Sequence, residues 1–214
     1  MRPLDQVPTP SNPPLPATDR RLIQIVDVAL ADAVRRAGHW LVCRPECTQC
    51  CIGPFPISQL DVARLQAGVA ELDSTDPERA ARVRARAREA VARLSSDFPG
   101  DPETGFLAED DAAQASFDSF ANDEPCPALD PATGTCDLYA YRPMTCREFG
   151  PPVRVEDDGA NGLSVCELCF HGATPQEIAA CEMVPDPEGL EGTLLEQLEE
   201  QGHRGQTIVA FALR

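Results

Sequence analysis

Residues 124–152 read EPCPALDPATGTCDLYAYRPMTCREFGPP. Three cysteines, Cys126, Cys136 and Cys146, stand ten residues apart in this stretch, among prolines, glycines and tyrosines. Neither a period of two nor one of 3.6 runs through it, so it predicts ordered loop with short helical turns rather than a long element. Ten residues is too wide a spacing for one local knuckle. Thiols so placed close loops when they share an ion, and binding is then coupled to folding.

A second cluster lies upstream, Cys43-Arg-Pro-Glu-Cys47-Thr-Gln-Cys50-Cys51. Cys47 and Cys50 form a CxxC pair, whose spacing lets two thiolates turn back on one zinc or iron. Cys43 can add a third ligand. Adjacent side chains tend to diverge, so Cys51 reads as a second-site ligand, a small buried hydrophobe or a redox thiol. A third cluster, Cys166-Glu-Leu-Cys169-Phe-His171, supplies another CxxC with a histidine whose role is structural or ligating. Cys181 falls on an amphipathic stretch and is expected in the core.

Compartment decides how ten cysteines are read. Met1–Ala17 holds six prolines and no apolar signal region, and no apolar run approaches the roughly 20 residues that span a bilayer. These features predict a cytoplasmic protein with no membrane contact, in which clustered thiols bind metal rather than pair as disulfides. The net charge of −17 argues against nucleic acid as a partner. All 18 basic residues are arginine, so no P-loop or Schiff-base lysine exists.

Around the clusters the pattern is mostly helical. Residues 1–17 predict a disordered proline-rich tail, and 18–214 a single domain. Leu22, Val26, Ala29, Leu30 and Ala33 recur at helical spacing up to Gly38. Ser58 with Asp61 opens a short helix over 59–67. Asp76-Pro77-Glu78 starts another, with Ala80, Val83, Ala87, Ala90 and Leu94 on one stripe and six arginines over 79–93 that read as a solvated face. Residues 107–121 are weakly helical with Phe117 and Phe120 inward. Residues 153–155 and 163–165 flank a hairpin turn. A capping box at Thr174 opens a helix carrying Cys181, 186–201 form another, and the apolar run 207–213 reads as a terminal strand. The expected fold class is α+β: a helix-rich small domain with an irregular cysteine-rich metal-binding centre and a short β element.

The motifs together resemble the zinc- or iron-chelating cysteine-cluster family named for CxxCxxCC, the YkgJ-like proteins. Cys47-Thr-Gln-Cys50-Cys51 resembles the end of that motif. Cys126, Pro127, Leu129, Asp130, Cys136, Tyr139, Arg142, Pro143, Cys146, Arg147 and Phe149 match, in order, its second block, CPxLD and CxxYxxRPxxCRxF. The resemblance covers residues 43–150. Three residues rather than two separate Cys43 from Cys47, a departure from the family spacing.

The resemblance implies a metal-chelating domain for zinc or iron, the iron as an ion or a [4Fe–4S] cluster, with a metal ion as partner. Candidate ligands are Cys43, Cys47, Cys50, Cys51, Cys126, Cys136, Cys146, Cys166 and Cys169. Arg142 and Arg147 can donate to thiolates and offset their charge, Asp130 can orient a ligand loop or pair with an arginine, and Tyr139 can shield the site. Relatives in this resemblance include flagellin lysine methylases, so a redox or modifying enzyme using an iron–sulfur centre stands as the alternative to a binding module. No catalytic triad, carboxylate pair or glycine-rich nucleotide fingerprint is present in the sequence.

Overall fold

A computed structural model describes residues 12–44, 46–157 and 160–214. Most of the predicted tail, residues 1–11, and the hairpin tip at 158–159 lie outside the described residues. Residues 12–16 carry neither helix nor strand, and Pro13 is buried.

Helix α1 (Asp19–Ala37) buries Leu22, Val26 and Ala33, and Gly38, at φ +52°, ends it. Helix α2 (Gln59–Thr75) begins at a complete capping box: Ser58 Oγ accepts from Asp61 N at 3.2 Å while Asp61 Oδ2 accepts from Ser58 N at 3.3 Å. It runs eight residues beyond the expected end at Ala67. Gly68, inside the helix, makes room for Tyr141, whose Cβ lies 2.7 Å from where a Cβ on Gly68 would sit. Helix α3 (Pro77–Leu94) starts as predicted, with Asp76 accepting from Arg79 N, and buries Ala80, Val83, Ala87 and Ala90.

Smaller elements follow. Strands β1 (Gly100–Asp101) and β2 (Phe106–Leu107) pair antiparallel, and α4 (Asp111–Phe117) leads to buried Phe120. Strands β3 (Leu129–Asp130) and β4 (Thr135–Cys136) form a tight hairpin inside the cysteine-rich stretch, followed by a 3₁₀ turn at Tyr139–Tyr141 and α5 (Met144–Glu148). The hairpin predicted near 153–165 is β5 (Val153–Asp157) against β6 (Ala160–Ser164). Helix α6 (Pro175–Ala180) follows the Thr174 capping box and ends with Cys181 as its C-cap, and α7 (Leu190–Glu200) starts later than expected. The molecule is a helix-rich α+β fold, with three separate two-stranded sheets among the described residues.

The expected terminal strand is a helix, α8 (Val209–Ala212). Only Thr207 pairs in strand fashion, with Ile57. Residues 208–213 are all buried, packed against α2 and α3, and a short apolar run buried on every side has no periodicity that separates helix from strand.

One core cluster joins α2, α3 and α8 through Ile57, Leu65, Val69, Val83 and Leu213, and Cys126 and Cys136 pack against it. A second joins α1, α2 and α7 through Leu22, Val26, Leu60, Leu194 and Leu198, with Met144 of α5. The cysteine-rich stretch is thus seated between two apolar cores.

Candidate metal centre

Thiols from three segments meet on the face of α2. The chain after Cys51 pairs with the chain before Cys126: Cys126 N donates to Cys51 O at 2.7 Å, Gly53 N donates to Glu124 O at 2.9 Å, and Ile52 bridges Pro125 antiparallel. The β3–β4 hairpin presents Cys136. Its turn is built by Asp130, whose Oδ1 accepts from Ala132 N and Oδ2 from Thr133 Oγ1, each at 3.0 Å; these bonds hold the carboxyl below its usual range. Cys146 comes from α5, whose first residue, Met144, donates its N–H to Asp61 Oδ1 at 2.9 Å.

The five thiols Cys50, Cys51, Cys126, Cys136 and Cys146 perturb one another. Cys50 is drawn down to about 6, chiefly by a hydrogen bond from Cys51, then by its backbone amide and by the Arg142 charge, against the cost of burial. That same bond, together with burial, holds Cys51 far above its ordinary value. Burial pushes Cys126 up to about 12 and raises Cys136. Cys146 is raised by burial, then by Cys126, Cys50 and Cys136. Charge on several neighbouring thiolates is costly without a cation among them, and a bound metal supplies that cation.

Arg142 stands beside this group. It is 8% exposed, its guanidinium lies 4.0 Å over the Tyr139 ring, and Nη1 donates to Tyr139 O at 3.3 Å. Its Nε is buried with no hydrogen-bond partner. Tyr139 itself is exposed, so its ring covers the arginine from the solvent side. Arg147 is turned away from the thiols. Nη1 donates to Asp27 at 2.9 Å, Nε to Arg142 O at 3.3 Å, and Nη2 to Ala140 O, so it splints the loop instead of donating to sulfur.

The other five cysteines lie elsewhere. Cys166 and Cys169 lie in a core cluster with Ala37, Phe170 and Cys181. Cys169 N donates to Cys166 O at 2.8 Å, and Phe170, at φ +59°, completes the turn. Phe170 N donates to Trp40 O at 2.9 Å, which brings the chain before Cys43 alongside. Cys43 is exposed, and its thiol is raised by partial desolvation first, then by the neighbouring Cys169, Cys166 and Cys47. His171 is exposed, and Cys181 is buried as predicted.

All ten cysteines are free thiols. A cavity of about 510 Å³ opens onto both groups and is bounded by Leu30, Val34, Leu41, Tyr139 and Phe149. Among the described residues, no three His, Cys, Asp or Glu side chains are already drawn to ion-binding distance. The donor chemistry nevertheless suits zinc or iron: soft thiols from separated segments, with a buried guanidinium nearby that has an unused N–H.

A family profile with the description "CxxCxxCC: Putative zinc- or iron-chelating domain" matches residues 42–169. The chain belongs to the CxxCxxCC family. The matched region reaches from the residue before Cys43 through Cys169, so it takes in the third cluster as well as the first two. No curated protein and no solved structure matches the chain.

Two residues that shape this CxxCxxCC site carried no metal-binding signal. Asp61 was legible only as a helix cap, yet it also supports α5. Asp137, next to Cys136, accepts from Arg79 Nε and Arg86 Nη2, each at 2.5 Å, while Arg86 Nε donates to Pro127 O at 2.8 Å. The arginines of α3 are therefore less solvated than predicted. Arg79 and Arg86 clamp the cysteine block, Arg84 pairs with Asp73 and Arg93 with Glu124. The available signal was an arginine-rich helix in a chain whose cysteine block holds an aspartate.

Proposed function

We propose that this protein is a metal-chelating module that holds zinc or iron through the thiolates of Cys50, Cys126, Cys136 and Cys146. Cys51 serves as an S–H donor to the Cys50 sulfur, and Arg142 offsets ligand charge through its free Nε–H. The observation that carries the reading is the gathering of these thiols, from three segments of chain, beside the buried Arg142, whose Nε–H has no partner. Asp130 and Arg147 act on the ligand loops, by forming the β3–β4 turn and by tying 140–142 to α1. The metal supplies positive charge that holds the thiolates together and links the loops to the cores.

One observation favours a [4Fe–4S] cluster over a lone ion. The cavity of about 510 Å³ next to the thiols is apolar on most sides, and a cluster is bulky and is held by four cysteines from separated segments. An iron–sulfur centre leaves electron transfer or modification chemistry open to the protein, whereas zinc makes it a binding or structural module.

Anaerobic purification followed by metal and sulfide analysis tests both levels. Brown protein with matched iron and acid-labile sulfide supports the cluster; colourless protein with stoichiometric zinc rejects it and keeps the chelating function. Replacing Cys146 or Cys126 by Ser is expected to release that metal and loosen the fold. Unchanged metal content in both variants rejects the ligand set.

A further inference from the structure

The Cys47–Cys50 pair has the spacing of a single-ion knuckle, yet its two thiols lie in different neighbourhoods. Cys51 and Cys126 are joined by a backbone hydrogen bond, and Cys50 sits with Cys51 against the Cys126, Cys136 and Cys146 group. Cys47 acts instead on Cys43 and Cys166. A 3₁₀ turn over Gln49–Cys51 carries the chain from one group to the other, and Gln49 Nε2 donates to Glu167, between Cys166 and Cys169.

The second neighbourhood is assembled with as much care as the first. The Cys166–Cys169 turn is closed by its own backbone bond and by the left-handed Phe170. Phe170 N bonds to Trp40 O, which aligns 40–43 with 166–170. Cys166 N also donates to Gly150 O at 3.4 Å. Gly150 is at φ +125°, and a Cβ there would stand 3.2 Å from Cys43 Sγ, so the missing side chain leaves space for that thiol. Cys166 and Cys169 are each 4% exposed, while Cys43 is open to solvent and lines the mouth of the cavity.

We infer that Cys43, Cys47, Cys166 and Cys169 form a second thiolate metal site, separate from the Cys50, Cys126, Cys136 and Cys146 set, with the CxxC motif shared between the two. This inference rests on the chelating function proposed above, and it assigns two metal centres per chain. Cys181 is left out of the second site: it is the C-cap of α6 and is buried in the apolar cluster formed with Ala37 and Phe170.

The test is cobalt(II) titration of the full-length, metal-stripped, reduced protein under anaerobic conditions, read by sulfur-to-cobalt charge-transfer absorbance and equivalents bound. The wild type is expected to bind two equivalents. Cys43→Ser, at an exposed position, is expected to bind one, as is Cys126→Ser. The double variant is expected to bind none, and Cys181→Ala two. Far-ultraviolet circular dichroism establishes that each variant remains helical, and Cys47→Ser repeats the Cys43 experiment on the same site. One equivalent in the wild type overturns the second site and leaves the chelating function standing, as does a Cys43→Ser or Cys47→Ser protein that still binds two. No cobalt in the wild type overturns both.

Discussion

Asp61 Oδ1 accepts the backbone N–H of Met144 at 2.9 Å, so a side chain on α2 caps the first residue of the helix that carries Cys146. The same oxygen accepts from Arg64 Nη1 at 2.7 Å, and Arg64 in turn reaches Asp19 Oδ1 at 2.7 Å. Arg64, Asp61 and Asp19 are 1%, 4% and 4% exposed. One buried ionic group therefore links α1, α2 and the cysteine block.

Asp61→Asn removes the charge and retains the size. Arg64 keeps Asp19, so the loss falls at the lower end of the range for a broken buried pair, about 3 kcal/mol. Urea unfolding of the metal-free protein measures it. A change below about 0.5 kcal/mol, the size of an ordinary surface substitution, would show that the network does not hold the fold. Faster metal loss to a chelator is expected in the same variant, because a neutral amide oxygen holds the Met144 N–H less strongly than the carboxylate does.

Asp137→Ala is expected to weaken metal binding more than it weakens folding. The carboxylate joins α3 to the segment between Cys136 and Leu138 through two arginines. Loss of an outer support of this kind costs about 10- to 100-fold in metal affinity. Competition with a chromophoric chelator reads the change. Unaltered affinity with lowered stability would confine Asp137 to a structural role.

Gly68→Ala tests the close approach of α2 to Tyr141. Alanine is the better helix former by about 1 kcal/mol, and in an open helix it would stabilise. Here its methyl would meet the Tyr141 Cβ and ring base, atoms that cannot swing aside. Net destabilisation of about 1–3 kcal/mol is expected, as for other overpacked sites. A raised melting temperature would refute the contact.

Glu191 gives the pH dependence. Burial first, then the charge of Asp61, raises its carboxyl to about 7 from an ordinary 4.5. The folded chain therefore holds this proton more tightly than the unfolded chain does. The stability it contributes is full below about 4.5 and is lost as pH climbs to about 7. Glu191→Gln, which cannot ionise, is expected to raise stability at pH 8 by roughly 1 kcal/mol, about 2–4 °C in Tm for a chain of this size. At pH 4.5 it should match the wild type. An equal shift at both pH values would locate the effect in packing rather than in charge.

Cysteine positions, the RPxxCR block, the Ser58 and Thr174 caps and the Asp76-Pro77 helix start could all be read directly, because each is local chemistry within a few residues. Family membership, a metal-chelating character and the helix-rich α+β class follow from those short-range patterns. The terminal run 207–213 was misread for the opposite reason: its conformation depends on α2 and α3 closing around it, which no local period records. The helix opened at Ser58 likewise runs on to Thr75, past the expected end at Ala67, and the seat of Tyr141 against Gly68 is a contact between distant segments.

The sequence by itself determined which atoms are available to bind metal: nine thiols in three clusters, beside arginines and no lysine. Only the tertiary structure decided how they are grouped. Spacing along the chain puts Cys47 with Cys50, whereas the backbone bonds from Cys126 to Cys51 and from Phe170 to Trp40 tie the two ends of the stretch 40–51 to different segments. The physical reason is that a thiol's neighbours are set by whichever segments the apolar cores bring together. Those contacts join residues far apart in sequence, Cys51 with Cys126 and Trp40 with Phe170.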